Sequence, residues 1–155
     1  MEIKIYTDGA CIGNPGPGGY GAVLLFKKHR KEISGGFRKT TNNRMELLAV
    51  ILSLEAIKNS DFSITLYSDS SYVVNAVEKG WLTTWKKRGF TKIKNPDLWK
   101  RFLAVYQKHD ISFIWVRGHD GNVENERCDE LAVLAYQEKD LHIDEWYEES
   151  ISNRN

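Results

Sequence analysis

Cysteine is nearly missing from this 155-residue chain, and the two present, Cys11 and Cys128, stand far apart. Two cysteines cannot make the disulfide framework of a small secreted domain, and their spacing fits no metal site, so reduced thiols in a cytosolic compartment are the expectation. No apolar run reaches membrane-spanning length, and the opening MEIKIYTDGA has no basic stretch followed by an apolar one. The chain is therefore expected to be a soluble, cytoplasmic protein with no membrane partner. Internal repeats and low-complexity tracts are also lacking, as is any composition break that would mark a linker. With 41% hydrophobic residues, one domain with its own core is the working expectation.

Net charge is low as well, at +1, which would argue against a polyanionic partner if the charges were evenly mixed. They are not. From Lys79 to Arg101 there are eight Lys or Arg residues and one acid, Asp97, whereas Asp120 to Asn155 holds eleven acids and three bases. The basic stretch also carries Trp81, Trp85, Phe90 and Trp99. Cations interleaved with aromatics suit a phosphate backbone and the faces of sugars or bases. The same pattern equally describes an amphipathic helix with a solvated basic face.

Alternation in residues 2 to 7 puts Ile3 and Ile5 inward and predicts a strand that delivers Asp8 at its end. GNPGPGG, residues 13 to 19, reads as loop. Tyr20 to Phe26 and Glu32 to Phe37 read as a hairpin around KKHRK. The period then changes: Met45, Leu48, Ala49, Leu52 and Ile57 predict a helix over 43–58, capped by Thr41 or Asn42. SITLY, residues 63 to 67, predicts a buried strand running into Asp69, with a helix from about Ser70. Further helices are expected near 81–87, 96–108 and 125–137, and a last strand at 111–116. Strand and helix alternating after a hairpin give an α/β domain with a mixed sheet.

Four acids draw attention within that frame. Asp8 and Asp69 each follow a strand and would share one edge if those strands are parallel neighbours, the edge where open α/β sheets keep their functional crevice. Glu46 is expected in the first turn of its helix, and Asp129 in the first turn or so of the last one. Singly, each reads as a turn or helix-end residue; together they form a crowded anionic group that a cation must neutralise. Hard oxygen ligands select Mg²⁺ or Mn²⁺, and no Cys/His cluster competes for zinc. Two such ions can activate water and stabilise a leaving oxygen in phosphodiester hydrolysis. His119, in the Gly-flanked RGHDGN, has a side chain able to move a proton near neutral pH, though alone it reads as an ordinary loop histidine.

Four stretches in order, TDGACIGNPGPGGYGAVL from Thr7, TTNNRMELLAV from Thr40, YSDSSYVVNAV from Tyr67 and WVRGHDGNVENERCDELA from Trp115, closely resemble bacterial type I ribonuclease H. The resemblance spans essentially the whole chain. It implies a ribonuclease H-like fold: a five-stranded mixed sheet with one antiparallel strand and helices on both faces. The implied activity is metal-dependent endonucleolytic cleavage of the RNA strand of an RNA–DNA hybrid, leaving 5′-phosphate and 3′-hydroxyl ends. Asp8, Glu46, Asp69 and Asp129 match the family's metal-binding carboxylates, for two Mg²⁺ (or Mn²⁺) ions with substrate bound, and His119 its histidine that assists turnover.

Cys11, Gly13, Asn14, Asn42 and Asn43 match positions that approach the hybrid's minor groove. Lys39, Thr41 and Asn95 match a pocket for a phosphate of the DNA strand, and Trp81 to Lys94, with Trp85, Lys86, Lys87 and Arg88, resembles the protrusion that grips that strand. Three departures stand out: Ser71 where many relatives have a glutamine that touches RNA, a short TKIK between Phe90 and Asn95, and Asp120 beside His119. The expected organisation is a catalytic domain over 1–140 and a partly disordered or loosely docked tail over 141–155, acting as a monomer.

Overall fold

The computed structural model describes residues 1–116 and 122–153. Its strands are β1 (Glu2–Cys11), β2 (Gly16–Phe26), β3 (His29–Thr40), β4 (Ser63–Ser68) and β5 (Asp110–Trp115). Its helices are α1 (Asn42–Glu55), α2 (Ser71–Glu78), α3 (Trp81–Lys87), α4 (Pro96–Tyr106), α5 (Val123–Tyr136) and α6 (Glu145–Ser152). The strands form one five-stranded sheet in the order β3-β2-β1-β4-β5. β4 pairs parallel with both β1 and β5, while β2 runs antiparallel to β1 and β3, so the expected mixed sheet with one reversed strand is what folds.

The register explains the core. Ile3 and Ile5 of β1 lie beside Ile64 and Leu66 of β4, all buried, and α1 and α4 cover that face with Leu47, Ile51, Trp99 and Phe102. α1 exceeds the amphipathic stripe predicted for it, being buried without a break from Arg44 to Ile51. It begins at Asn42, with the Thr41 hydroxyl accepting the Arg44 N–H, as a capping threonine should. α5 packs on the opposite face, against β1, β2 and β3.

Three expectations need correction. The glycine-rich stretch is loop only in its first part, because β2 begins at Gly16 and pairs with β3 and, from Gly18, with β1. The reason lies on the other face: a Cβ added at Gly19 or Gly21 would overlap the carbonyl oxygens of Ala132 or Cys128, so these glycines let α5 seat directly on the strand. β1 likewise continues to Cys11, leaving Asp8 inside a strand opposite Gly21 instead of at its end. Glu46 and Asp129 fall in the second turns of α1 and α5.

The segment from Leu141, expected as a loose tail, runs against the sheet edge. The His142 N–H donates to Gly36 O at 2.9 Å, the Arg38 N–H donates to His142 O at 2.9 Å, and α6 follows. Arg38 pairs with Glu148 at 2.8 Å, and Asp144 is buried.

Candidate active site

Parallel pairing of β1 with β4 ends at Thr7 opposite Ser68, so the next residues, Asp8 and Asp69, leave the paired segment side by side. α1 brings Glu46 to the same place. It can do so because of Gly9, where an added Cβ would overlap the backbone of Met45 and Glu46. Asp8, Glu46 and Asp69 each offer a carboxylate oxygen, and these oxygens lie within 4.8 Å of one another. The turn under Asp69 is held by Ser68 Oγ, which accepts the Ser70 N–H at 3.1 Å, and the Ser70 hydroxyl caps α2.

The electrostatics are those of crowded and largely buried negative charge. Asp8 is 4% exposed and Glu46 5%. Burial, then the charges of Asp69 and Asp129, push the Asp8 carboxyl up to about 8, although the Gly9 N–H donates to it at 2.9 Å. Burial and the neighbouring Asp8 and Asp69 also raise Glu46 well above the usual carboxylate range. Glu46 Oε2 is buried without a hydrogen-bond partner. Hard oxygens this close, one of them unsatisfied, fit a divalent cation such as Mg²⁺. Asp129 faces the group from α5 and makes itself felt through its charge on Asp8, but it is outside the compact set of three. His119 and Asp120 lie outside the described residues.

The expected binding residues fall into two groups. In the first, Asn14 Oδ1 accepts the Asn42 N–H at 2.9 Å, and the Cys11 thiol lies 3.4 Å from Thr40 O, so the Gly13 loop is tied to the start of α1. Asn14, Thr41, Asn43 and Asn95 border one cavity of about 350 Å³. Lys39 stands exposed on β3 and does not line it. The second group is the basic stretch. Trp85 packs at 5.0 Å on the buried Trp99, Trp81 is 40% exposed with the Lys79 ammonium 5.5 Å from its ring, and Lys86, Lys87 and Arg88 project into solvent. The face is solvated and basic, with aromatic rings set into it.

Sequence reasoning passed over Arg44. It is 2% exposed, and its guanidinium bonds Asp97 at 2.7 and 2.8 Å, Asp144 at 2.8 and 3.0 Å, and Asn95 Oδ1 at 3.2 Å. Thr40 donates to Asp144 at 2.7 Å. Nothing local marks it, because its partners are 51 to 100 positions away. Also missed was Trp115, whose indole N–H donates to Asp69 O at 3.3 Å; Trp146 and Tyr147 could be read as aromatics for docking the tail, but not as lining the cavity shared by Thr41 and Asn95. Their only sequence signal is two adjacent aromatics within an acidic tail.

A sequence model of the RNase H family matches residues 1–137. The chain is similar to ribonuclease H of Syntrophus aciditrophicus, with 58% identity over 151 residues, 94% of this chain and 87% of that one. Among solved structures it resembles LC9-RNase H1, a type 1 RNase H with the type 2 active-site motif (TM-score 0.79, 31% identity, 88% of this chain and 72% of that one). It also resembles LC11-RNase H1 in complex with an RNA/DNA hybrid (TM-score 0.67, 28% identity, 87% and 96%).

Proposed function

Because the chain belongs to the ribonuclease H family, we infer that it hydrolyses the RNA strand of RNA–DNA hybrids, as an endonuclease that leaves 5′-phosphate and 3′-hydroxyl ends. The observation that carries this reading is the trio of buried Asp8 and Glu46 with half-buried Asp69, whose oxygens crowd within 4.8 Å and include an unpartnered one on Glu46. With Asp129 on α5, these residues would hold two Mg²⁺ ions, Mn²⁺ being the alternative. Bound there, divalent ions supply an activated water and charge stabilisation for the leaving oxygen.

The protein's own residues do the rest. Strand β1, the end of β4 and helices α1 and α5 fix the carboxylates in place before substrate arrives, so little reorganisation is needed. His119 would take or deliver a proton around the scissile phosphate. Cys11, Gly13, Asn14, Asn42 and Asn43 would approach the minor groove, where the 2′-hydroxyls identify the RNA strand. Lys39, Thr41 and Asn95 would receive a phosphate of the DNA strand, a fit that favours the more deformable duplex. Trp81, Trp85, Lys86, Lys87 and Arg88 would follow that strand further along. Little base-specific reading is expected from such contacts.

Residues 1–140 contain all the proposed catalytic groups, with 141–155 as an appended tail. The crevice is built from one chain's own residues, in keeping with a monomer. Two free cysteines suit the reducing cytoplasm, and no described helix is long and apolar enough to cross a membrane. The deciding experiment incubates the protein with end-labelled RNA–DNA, RNA–RNA and DNA–DNA duplexes, with and without Mg²⁺. Cleavage of the RNA strand of the hybrid alone, only with the metal, is the expected result; metal-independent cutting, or equal cutting of a homoduplex, would overturn it.

A further inference from the structure

We propose that α6 is part of the substrate-binding surface: Trp146, Tyr147 and Ser150 form one wall of the cavity that seats a DNA-strand phosphate, and contact the nucleotide attached to it. This rests on the hybrid-hydrolase reading above. It adds a tail, expected to be loose, to the binding site.

The cavity of about 350 Å³ has two walls. One comes from the body: Thr41 and Asn43 at the start of α1, with Lys94 and Asn95 just before α4. Among the described residues no carboxylate lines it, and Lys94 is its one cation. The Thr41 oxygen already accepts the Arg44 N–H, so its hydroxyl proton remains to donate. α1 has no acid in its first turn, so the positive end of its dipole is not offset there. This wall suits a phosphodiester.

The opposite wall is one face of α6, at positions 146, 147 and 150. Flat rings beside a phosphate seat are what a strand's sugars and bases pack against, whatever their sequence. Of the acids of α6 and its cap, Glu148 is engaged with Arg38 and Asp144 with Arg44 and Thr40, while Glu145 and Glu149 do not line the cavity.

The two walls are joined through one side chain. Arg44 bonds Asn95 and Asp97 on the α4 side and Asp144 on the α6 side, and its guanidinium lies 5.0 Å from the Trp146 ring and 5.9 Å from the Tyr147 ring. Asn95 is held on its other side by donating to the Tyr72 hydroxyl at 3.0 Å. The wall from the tail is thus set in position before any strand binds, which removes an ordering cost from binding.

The test is a coupling cycle between protein and substrate. Hybrid binding is measured on the full chain carrying Asp8→Asn to prevent cleavage, with a neutral methylphosphonate placed in turn at each phosphate of the DNA strand and then of the RNA strand. Combined Trp146→Ala and Tyr147→Ala should weaken binding of the unmodified hybrid by about fivefold to tenfold, the size expected when one base loses its stacking partner. At the DNA position where the unmutated tail is most sensitive to methylphosphonate, the same change should cost less than about twofold, since a mis-seated nucleotide no longer reaches the wall.

An equal loss at every position, no loss at all, or coupling confined to the RNA strand would each overturn the proposal. Thermal melts check folding; if the double alanine variant melts early, Trp146→Leu with Tyr147→Leu, which keeps apolar bulk and helix while removing both rings, goes through the same cycle and is judged by the same outcomes. Coupling is read from binding, so it is separable from the hybrid-hydrolase reading, which fails if the unmutated chain does not cut the RNA strand.

Discussion

Arg44 and Glu46 lie two residues apart on α1, both at most 5% exposed, yet their surroundings are opposite. Arg44 meets two carboxylates, an amide oxygen and two rings. Glu46 meets two more carboxylates and has an oxygen with no partner. A buried charge that is fully compensated holds a fold together, whereas one left uncompensated marks a place where something else must bind. The helix therefore carries a structural charge and a functional one within a single turn, and substitutions at each should fail in different ways.

The largest effect is expected at the crevice. Asp8→Asn should reduce RNA-strand cleavage to background at saturating Mg²⁺ while the metal-free protein melts no earlier than the parent, because removing one charge relieves the crowding of Glu46 and Asp69. Activity and melting curves on the same preparation check both halves, and near-parental turnover would remove Asp8 from the catalytic group. Next comes Arg44→Ala, which leaves Asp144 and Asp97 without the cation between them. Breaking a buried pair of this kind costs about 3–5 kcal/mol, to be read from urea unfolding. A loss below about 1 kcal/mol would mean that the hub is solvated in practice.

The third prediction concerns pH. Asp8 moves from 3.8 to about 8 on folding, and Glu46 is raised too. The folded state thus binds protons more tightly than the unfolded chain. Stability from this source is full below about pH 4 and lost as pH climbs toward 8, and Mg²⁺ should restore it most at the alkaline end. Melting temperature against pH, with and without the metal, tests this; a metal-free midpoint that rises between pH 5 and 8 would contradict it. The smallest effect is expected far from both residues. Neutralising Lys86, Lys87 and Arg88 together should raise KM for hybrid, leave kcat nearly unchanged, and lower the slope of log affinity against log salt by about 0.7–0.9 for each phosphate no longer neutralised. An unchanged slope would make α3 a merely solvated face.

Much of this architecture could be read from local pattern. Alternation around Ile3 and Ile5 and the apolar SITLY placed the two strands that bring Asp8 and Asp69 together, and the changed period after Thr41 placed α1. What escaped reading depends on contacts between distant segments. Residues 16 to 19 are turn-forming types, yet belong to a strand on which Gly19, like Gly21 beyond it, lets α5 approach through a missing side chain. Arg44 on a helix reads as a surface cation until Asp97 and Asp144 arrive from later in the chain. The polar, acidic tail offers only Trp146 and Tyr147 as a sign of docking, because its anchors, Arg38 and Arg44, lie on β3 and α1.

The glycines at 9 and 21 have a consequence for the metal chemistry. Gly9 follows Asp8 directly and sets how closely α1, with Glu46, lies on the sheet; Gly21 stands opposite Asp8 and against the carbonyl of Cys128, the neighbour of Asp129. Two absent methyl groups, one on each face, thus act as shims of zero thickness for the layers that carry Glu46 and Asp129. Carboxylate spacing in this crevice is an interlayer distance. A family member could retune its ion preference by thickening either shim, without altering a single carboxylate.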